Sequence, residues 1–367
     1  MSTAPCQYNQ CAPVVVARTL TNGNDREVLR VHAAGSWSMA LSKDGGRIDM
    51  GDEHRSGVRG AGAQDGDLDV NRHLAASPLV ARLVPGVFAT LAAGRFAVVE
   101  SFTHAMLGRT GRRVFRLGLS ASYRPGTRAV ERAIGEGVNY LFCYGFDSQL
   151  IRTIRAMPPA RRESVLVATG AYNLILTRQD LRKTLERRLR QLGTDYIDVF
   201  HFLGVMKPEQ FPEALREELR RLKEDGRVRA VAMSCHDRQF AGELASQGAL
   251  DVLMVRYNAA HPGAEQDIFP YLDQHNPGMV SYTATRWSYL LRRPKGWPRE
   301  RPVPTAALCY RFVLSNPHVD VCLTAPSNGE QLEENLAAVR QGPLSADEMR
   351  FMREFGEAVH RTGKWFM

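Results

Sequence analysis

The feature that most constrains the fold of this chain is a regular alternation of short apolar stretches with helical stretches after residue 106. Strands that alternate with helices predict a parallel sheet with the helices packed outside it. Eight stretches have the length of strands: 114–119, 140–143, 165–169, 196–203, 228–234, 252–257, 279–283 and 319–324. Eight such units in about 260 residues match the ~250 typical of a (β/α)8 barrel. We therefore predict an α/β fold, a (β/α)8 TIM barrel with an N-terminal extension.

The clearest helix covers residues 178–192. Four leucines recur on one face at the helical period: Leu181, Leu185, Leu189 and Leu192. Thr177 and Asp180 are candidate caps at its start, and Gly193 is a candidate cap at its end. A doubly wound open sheet would show the same alternation, but no G-x-G-x-x-G follows the first strand. The barrel is therefore favoured.

The first 105 residues have a different character. Residues 44–69 are rich in Gly, Asp and Arg and show almost no apolar periodicity, so they are not expected to build a core. Residues 79–99 predict one or two helices, split at Pro85. We predict that residues 1–105 are an extension that is poorly ordered or loosely packed, and that 106–367 form the barrel. An appended domain or lid is the alternative.

Composition excludes several classes of protein. Six irregularly spaced cysteines without a C-x-x-C pair indicate a reducing cytoplasm rather than a disulfide framework. The N-terminus lacks the pattern of a secretory signal, and the most apolar region, 78–99, is interrupted by arginine and proline, so neither export nor a membrane span is expected.

The net charge of +9 raises the question of nucleic acid binding. The arginines recur at helical surface spacings without an interleaved aromatic platform, as in Arg182, Arg187, Arg188 and Arg190. We interpret them as a solvated basic surface, with a small molecule as the partner rather than nucleic acid.

Three segments of the chain resemble the aldo-keto reductases: residues 139–145 (NYLFCYG), 195–203 (DYIDVFHFL) and 323–335 (LTAPSNGEQLEEN). The similarity begins at Leu107–Gly111 (LGRTG), directly after Met106, and continues through Val339. Chains of that family commonly begin a few residues before this motif. The resemblance implies an NADP(H)-dependent oxidoreductase acting on a small carbonyl or alcohol. It does not indicate the oligomeric state.

The catalytic positions of that family are rewritten in this chain. The resemblance places an Asp at Phe142, a Lys at Gly170 and a His at Leu203, and Tyr144 stands slightly early for the family's Tyr. A phenol with a pKa near ~10 is a slow acid at neutral pH unless neighbours tune it. The candidate catalytic residues are therefore Tyr144, His201 and His236.

His201 lies two residues before Leu203, so strand alternation directs it to the same interior side, about 7 Å deeper. There it could reach a substrate from below. The alternative is a histidine packed in the barrel for structural reasons.

The resemblance assigns the adenosine end of the cofactor to Ser327, Gln331, Glu334 and Asn335. Physically, Ser327 or Asn328 would cap a helix whose free N–H groups face a phosphate. An ordinary capped helix without a ligand is the alternative.

The nicotinamide end would contact Ser234 and Tyr282. Cys235 and Met254 stand where the family has Asn and Gln. Predicted substrate contacts are Cys143, Arg256 and Trp287, with Arg256 suited to an anionic group.

Other functions remain open. A barrel that binds nucleotide or a partner protein without turnover would also show such substitutions, and a non-redox, lyase-type enzyme is a third class. Cys143 and His201, with Cys235 and His236, are residue types that bind zinc, but they lack a local ligand pair, so no metal site is predicted. Cys143 as a nucleophile is less expected than a small buried cysteine.

Overall fold

A computed structural model of the chain describes residues 102–173 and 178–362 in full, and between residues 16 and 51 the backbone of four strands. The chain divides into two compact units, residues 1–77 and 78–367. Within the first unit the strands pair antiparallel in sequence order: β1 (Val16–Asn22), β2 (Arg26–Ala33), β3 (Trp37–Ser42) and β4 (Asp49–Gly51). The helices predicted over 79–99, the cap Thr177 and most of segment 44–69 lie outside the described residues.

The described part of the second unit, residues 102–173 and 178–362, contains ten strands. They are β5 (His104–Met106), β6 (Arg113–Phe115), β7 (Leu117–Leu119), β8 (Tyr140–Phe142), β9 (Leu166–Tyr172), β10 (Ile197–Val205), β11 (Val228–Cys235), β12 (Val252–Arg256), β13 (Gly278–Tyr282) and β14 (Val321–Thr324). Eight of them close a parallel barrel in the order β10-β11-β12-β13-β14-β7-β8-β9. The predicted (β/α)8 barrel is confirmed.

Helices surround this barrel. They are α1 (Thr127–Gly135), α2 (Ser148–Arg155), α3 (Pro159–Ser164), α4 (Leu181–Leu192), α5 (Glu213–Glu224), α6 (Arg238–Ser246), α7 (Ala264–Asp267), α8 (Ala306–Leu314), α9 (Gly329–Arg340) and α10 (Ala346–Thr362). The caps predicted for α4 are in place. The Asp180 carboxylate accepts the Lys183 N–H, and Gly193 ends the helix at φ 64°.

Two apolar layers hold the barrel together. Inward side chains, among them Tyr140, Phe142, Val199 and Leu203, form an interior cluster. Outward side chains pack against the helices in a second, larger cluster. Alternate residues of a strand face opposite sides of the sheet. A strand residue in the interior cluster therefore faces the inside of the barrel, and one in the outer cluster faces the helices.

The first predicted strand, 114–119, is two strands in the structure. β6 pairs antiparallel with β5, and only β7 enters the barrel. The turn between β5 and β6 sends Leu107 and Val114 into the interior cluster, where both are fully buried. This hairpin closes the N-terminal end of the barrel. It includes His104 and Ala105, which precede the predicted start of the barrel at Met106.

Three buried carboxylates fix that same end. Asp198 accepts the Val167 N–H at 3.0 Å, Asp251 accepts the Val231 N–H at 3.0 Å, and Asp320 accepts the Met279 N–H at 2.8 Å. Each carboxylate therefore ties the start of one strand to a neighbouring strand. Asp198 also pairs with the buried Arg162 at 2.7 Å and with Arg229 at 3.0 Å.

Candidate active site at the carboxyl ends of the strands

The end of the barrel opposite the hairpin carries most of the predicted site residues. Tyr144, Tyr172 and Tyr282 pack on the interior cluster as partly buried rings. The loops that follow parallel strands meet at this face, which is where barrel enzymes of this architecture hold their chemistry. Two cavities, of about 790 and 220 Å³, lie instead at the N-terminal end, beside Tyr196 and beside Asp198.

Cys143 does not face this mouth. It belongs to the outer cluster, packed between the strands and the helices, and burial raises the pKa of its thiol. Cys235 is placed in the same way. The placement does not support the predicted contact between Cys143 and a substrate, and it matches the small buried cysteine described as the alternative.

His201 faces the barrel interior, as strand alternation predicted. Its imidazole is fully buried, its Nδ1 lies 3.3 Å from the carbonyl oxygen of Thr169, and its Nε2 has no partner among the described residues. The Phe142 ring contacts both His201 and Tyr144, with centroids 5.4 and 4.9 Å away. Phe142 therefore separates the imidazole from the mouth. Burial lowers the pKa of His201 to about 4, so the ring is neutral at pH 7.

This shift predicts a loss of stability in mild acid. Because the folded pKa of about 4 lies below the ordinary 6.5, the unfolded chain takes up the proton first as pH falls. The contribution of His201 is complete above pH 6.5 and is lost between pH 6.5 and 4. We expect the free energy of unfolding of His201→Gln to depend less steeply on pH, by about 1.4 kcal/mol per pH unit in that window.

Urea unfolding of both proteins at about pH 7 and about pH 5 measures this difference. His275→Gln, at a partly exposed position, is the matched control for the loss of an imidazole. Equal slopes for His201→Gln and the wild type would contradict the neutral, buried imidazole.

Tyr144 lies in a row of aromatic rings. It stacks on Phe146 at 5.2 Å and on Tyr172 at 6.2 Å, with interplanar angles of 16° and 18°. Burial raises the pKa of its phenol, as do nearby Tyr123 and Asp147. These surroundings favour the neutral phenol, and they make Tyr144 a packing surface more readily than a proton donor.

Arg188 on α4 was predicted to lie on a solvated surface, and that prediction is wrong. Its side chain is buried and passes beneath Gly145, where a Cβ atom would lie 1.8 Å from its Nη1. Its charge lowers the pKa values of Cys143 and Tyr172, against the larger effect of burial. The glycine after Tyr144 was the signal in the sequence, because it leaves room for this arginine.

His236, Arg256 and Tyr282 meet across three neighbouring strands. His236 follows β11 directly, and Arg256 and Tyr282 are register partners at the ends of β12 and β13. The Tyr282 hydroxyl lies 3.5 Å from both ring nitrogens of His236. Burial and the charge of Arg256 lower the pKa of His236, whereas burial raises that of Tyr282. An imidazole and a phenol are thus in contact at the mouth.

Ser234 is buried on the inward side of β11. Its Oγ accepts the Gly204 N–H at 2.8 Å, which ties the end of β10 to β11. A hydroxyl that accepts one hydrogen bond retains its own proton to donate. Ser234 can therefore hold the strand end and still contact a ligand.

The start of α9 is capped by Asn328. Its side chain accepts the Gln331 N–H at 2.9 Å, and the Gln331 side chain accepts the Ser327 N–H at 2.9 Å. Ser327, Gln331 and Glu334 are exposed, but Asn335 is buried and donates to Thr324 Oγ1 at 3.0 Å. The structure thus brings three of the four predicted adenosine contacts to the surface and engages Asn335 internally.

The loop after β13 concentrates unusual backbone geometry. Thr283, Arg286, Trp287 and Ser288 all have positive φ, between 49° and 68°. Such residues persist where the surrounding structure holds them, and they cluster at ligand sites. Arg286 is buried and donates to the Val359 carbonyl at 2.9 Å, while Trp287 remains exposed at the rim.

Within residues 102–173 and 178–362, no group of three His, Cys, Asp or Glu side chains could hold a metal ion. Over the part of the chain that the structure describes, every helix is too short or too polar to cross a membrane.

Comparison with known proteins identifies the family. Residues 128–296 match the family model described as Aldo/keto reductase family. This barrel therefore contains an aldo/keto reductase family domain. An NADH-specific methylglyoxal reductase of Escherichia coli is 24% identical over 272 residues, which cover 59% of this chain and 82% of that protein. An L-galactose dehydrogenase of Arabidopsis thaliana is 23% identical over 267 residues, which cover 63% and 77% of the two chains.

A solved aldo-keto reductase of Bacillus halodurans, in its holo form, has the same fold. Its TM-score is 0.58 at 20% identity, over 70% of this chain and 97% of that one. Phe142 and Leu203, at which the sequence resemblance placed the family's Asp and His, are buried apolar side chains. At Gly170, where the resemblance placed the family's Lys, a Cβ would lie 2.2 Å from the His201 carbonyl oxygen.

Proposed function

We propose that this member of the aldo-keto reductase superfamily uses NADP(H) or NAD(H) to interconvert a small carbonyl compound and its alcohol, with His236 handling the proton. The observation that carries the proposal is the contact between His236 and Tyr282 at the mouth of the barrel. It provides an ionisable group where the family's usual residues are absent.

The start of α9 supports the binding of an adenine dinucleotide. Its exposed first turn offers free N–H groups, and Gly329 has no atom within 4 Å of where a Cβ would stand, so a ligand has access to this surface. Ser327, Gln331 and Glu334 would hold the adenosine end, and Ser234 and Tyr282 the nicotinamide end. When bound, the nicotinamide supplies a hydride to the carbonyl carbon and becomes oxidised.

The residues from 325 to 335 include no Lys or Arg, whereas Glu330, Glu333 and Glu334 are all acidic. A 2′-phosphate would therefore lack a basic partner within this segment, and an acidic residue suits a free ribose hydroxyl better. The sequence resemblance implied NADP(H); these charges add NAD(H) to the proposal and make the comparison of the two informative.

His236 would exchange the proton with the substrate oxygen. A lowered pKa keeps the imidazole neutral at pH 7, so it accepts a proton during alcohol oxidation. In the reductive direction the protonated ring donates, and reduction should quicken as pH falls. Burial and the charge of Arg256 are the causes of this lowered pKa.

Calorimetric titration with NADH and NADPH, followed by stopped-flow absorbance at the nicotinamide band with aldehydes, tests the proposal. We expect saturable binding and oxidation of the reduced cofactor. Binding of neither dinucleotide would refute the proposed function.

For the variant His236→Gln we expect a reduction rate lower by about 10²-fold, with the affinity for the dinucleotide unchanged, because only proton transfer is removed. Single-turnover rates measured between about pH 5 and about pH 8 provide the readout. His275→Gln controls for the loss of an imidazole elsewhere. An unaltered rate and pH profile would assign the proton to another group.

A nucleotide-binding barrel without turnover is the second candidate. It is favoured by Phe142, which covers His201 and so keeps that imidazole away from the mouth. Tight binding of a dinucleotide with no oxidation by any aldehyde would support this alternative.

A further inference from the structure

A cavity of about 790 Å³ lies at the N-terminal end of the barrel, away from the mouth. It is lined by the last turns of α2 and α4, the start of α3 and the residues that lead into β10. A volume of this size accommodates a small organic molecule. We call it the α2–α4 cavity. Its apolar lining consists of Ile154, Met157, Pro159, Leu189 and Leu192.

The charged lining of the α2–α4 cavity is predominantly basic. Its cations are Arg155, Arg162, Arg190 and Arg229, and its carboxylates are the exposed Glu163 and Asp195. Four guanidiniums against two carboxylates leave two positive charges in excess around one small volume. Charges of one sign that line a concave surface focus the field inside it and attract counter-ions. The cavity is therefore suited to an anion.

The buried carboxylate of Asp198 does not remove this excess. It pairs with Arg162 at 2.7 Å and with Arg229 at 3.0 Å, and Arg112 lies 3.6 Å from it. Three guanidiniums thus share one carboxylate behind the wall of the cavity. Asp198 holds Arg162 and Arg229 in position, but a single negative charge does not neutralise three cations.

Arg155 and Arg190 are the cations that a ligand can reach, because both side chains are exposed. Among the described residues, the Arg155 guanidinium donates only to the Arg190 carbonyl, at 3.5 Å. The Arg190 guanidinium has no hydrogen bond or ion pair within the described part of the chain. Glu186, one turn earlier on α4, pairs with Arg227 instead. Both guanidiniums therefore retain donors for a ligand.

Two buried donors in the wall lack an acceptor. Arg162 is 7% exposed, and neither its Nε nor the hydroxyl of Tyr196 has a partner among the described residues. The guanidiniums of Arg162 and Arg229 lie over the Tyr196 ring, 4.2 and 3.8 Å from its centroid. An unpaired N–H or O–H is satisfied by an acceptor oxygen. These donors favour an anionic ligand over a cationic or an apolar one.

We propose that the α2–α4 cavity binds an organic phosphate, with its head group at Arg155 and Arg190 and its body packed on Met157 and Leu189. A phosphate monoester carries about two negative charges at pH 7, which matches the excess of the lining. Its oxygens accept charge-assisted hydrogen bonds from guanidinium groups. Because the cavity lies away from the mouth, this ligand is distinct from the carbonyl compound and from the dinucleotide.

Calorimetric titration with phenyl phosphate tests the inference without any turnover. We expect saturable binding that weakens by about tenfold in Arg190→Gln and in Arg155→Gln, since each variant removes a charge-assisted contact. Arg187→Gln on α4 and Arg152→Gln on α2 are matched controls, because they remove the same charge from exposed positions outside the cavity. The controls should change the affinity by less than about twofold.

The same losses in the controls and in the cavity variants would show only a general attraction to a basic protein, and would overturn the inference. Absence of binding would overturn it as well. Arg190→Lys, which retains the charge, should recover part of the affinity that Arg190→Gln loses. Lack of any recovery would count against a contact between the phosphate and this side chain.

Two further titrations identify the head group and the place of binding. Benzoate has the same ring with a single negative charge, so we expect it to bind more weakly than phenyl phosphate. Equal or tighter binding of benzoate would overturn the phosphate. With NADH in excess, the affinity for phenyl phosphate should not change. Competition would place the phosphate at the start of α9 and overturn the site in the α2–α4 cavity.

Discussion

Replacing Gly170 by lysine should destabilise the barrel by about 3 kcal/mol instead of restoring the family's catalytic amine. A Cβ at this position would lie 2.2 Å from the carbonyl oxygen of His201 and 2.8 Å from its carbonyl carbon. These atoms belong to the paired backbone of β10, which cannot move aside as a flexible side chain can. The strands would have to separate at the centre of the sheet.

Urea unfolding of Gly170→Ala and Gly170→Lys measures the effect, and alanine already carries the colliding Cβ. Gly135→Ala is the control, because no atom lies within 4 Å of a Cβ there and its φ is not positive. We expect Gly135→Ala to alter the free energy of unfolding by less than about 1 kcal/mol. Wild-type stability in Gly170→Ala would show that β9 and β10 are further apart than described.

Asp198→Ala should lower the free energy of unfolding by about 3 to 5 kcal/mol. The carboxylate is buried and holds Arg162 at 2.7 Å, Arg229 at 3.0 Å and the Val167 N–H at 3.0 Å. Its loss leaves the guanidinium of Arg162 buried without its counter-charge. The effect should be as large at high salt, since buried pairs are screened weakly.

The exposed ion pair between Asp225 and Arg182, at 3.4 Å, provides the comparison. For Asp225→Ala we expect a loss below about 1 kcal/mol, and one that shrinks further as salt is added. Chemical denaturation of both variants at low and high ionic strength distinguishes the two. A small effect of Asp198→Ala would mean that water reaches Arg162 and compensates it.

The architecture was readable from the sequence because strand and helix periods alternate with little ambiguity. The same rule placed His201 correctly, since period two along β10 allows only one face for residues 199, 201 and 203. The first strand was predicted too long, because apolar residues 114 and 115 belong to an antiparallel hairpin that reads like a continuous strand. Hydrophobicity alone does not show where the chain leaves one paired strand and begins to pair with another.

The surroundings of the site residues were less predictable, because the burial of a side chain depends on its neighbours in space as well as on the sequence period. Arg188 has the spacing of a surface residue, and only its passage under Gly145 buries it. Asn335 matches the family pattern, yet its amide is used by Thr324. Cys143 is one residue out of phase with the inward Phe142. The burial of Arg188 and the hydrogen bond of Asn335 each depend on a contact that no local pattern encodes, whereas the outward direction of Cys143 follows from strand alternation.

The closing hairpin has a practical consequence for anyone who shortens this protein. Beginning translation at Met106 would remove most of β5, including His104, whose ring meets Phe115 at 5.3 Å. It would also remove Thr103, whose carbonyl accepts the Arg116 N–H at 2.8 Å. A shortened chain should therefore retain at least Phe102 and the residues after it. A fragment that begins at Met106 would lose most of the strand that pairs with β6 beside Leu107, at the N-terminal end of the barrel.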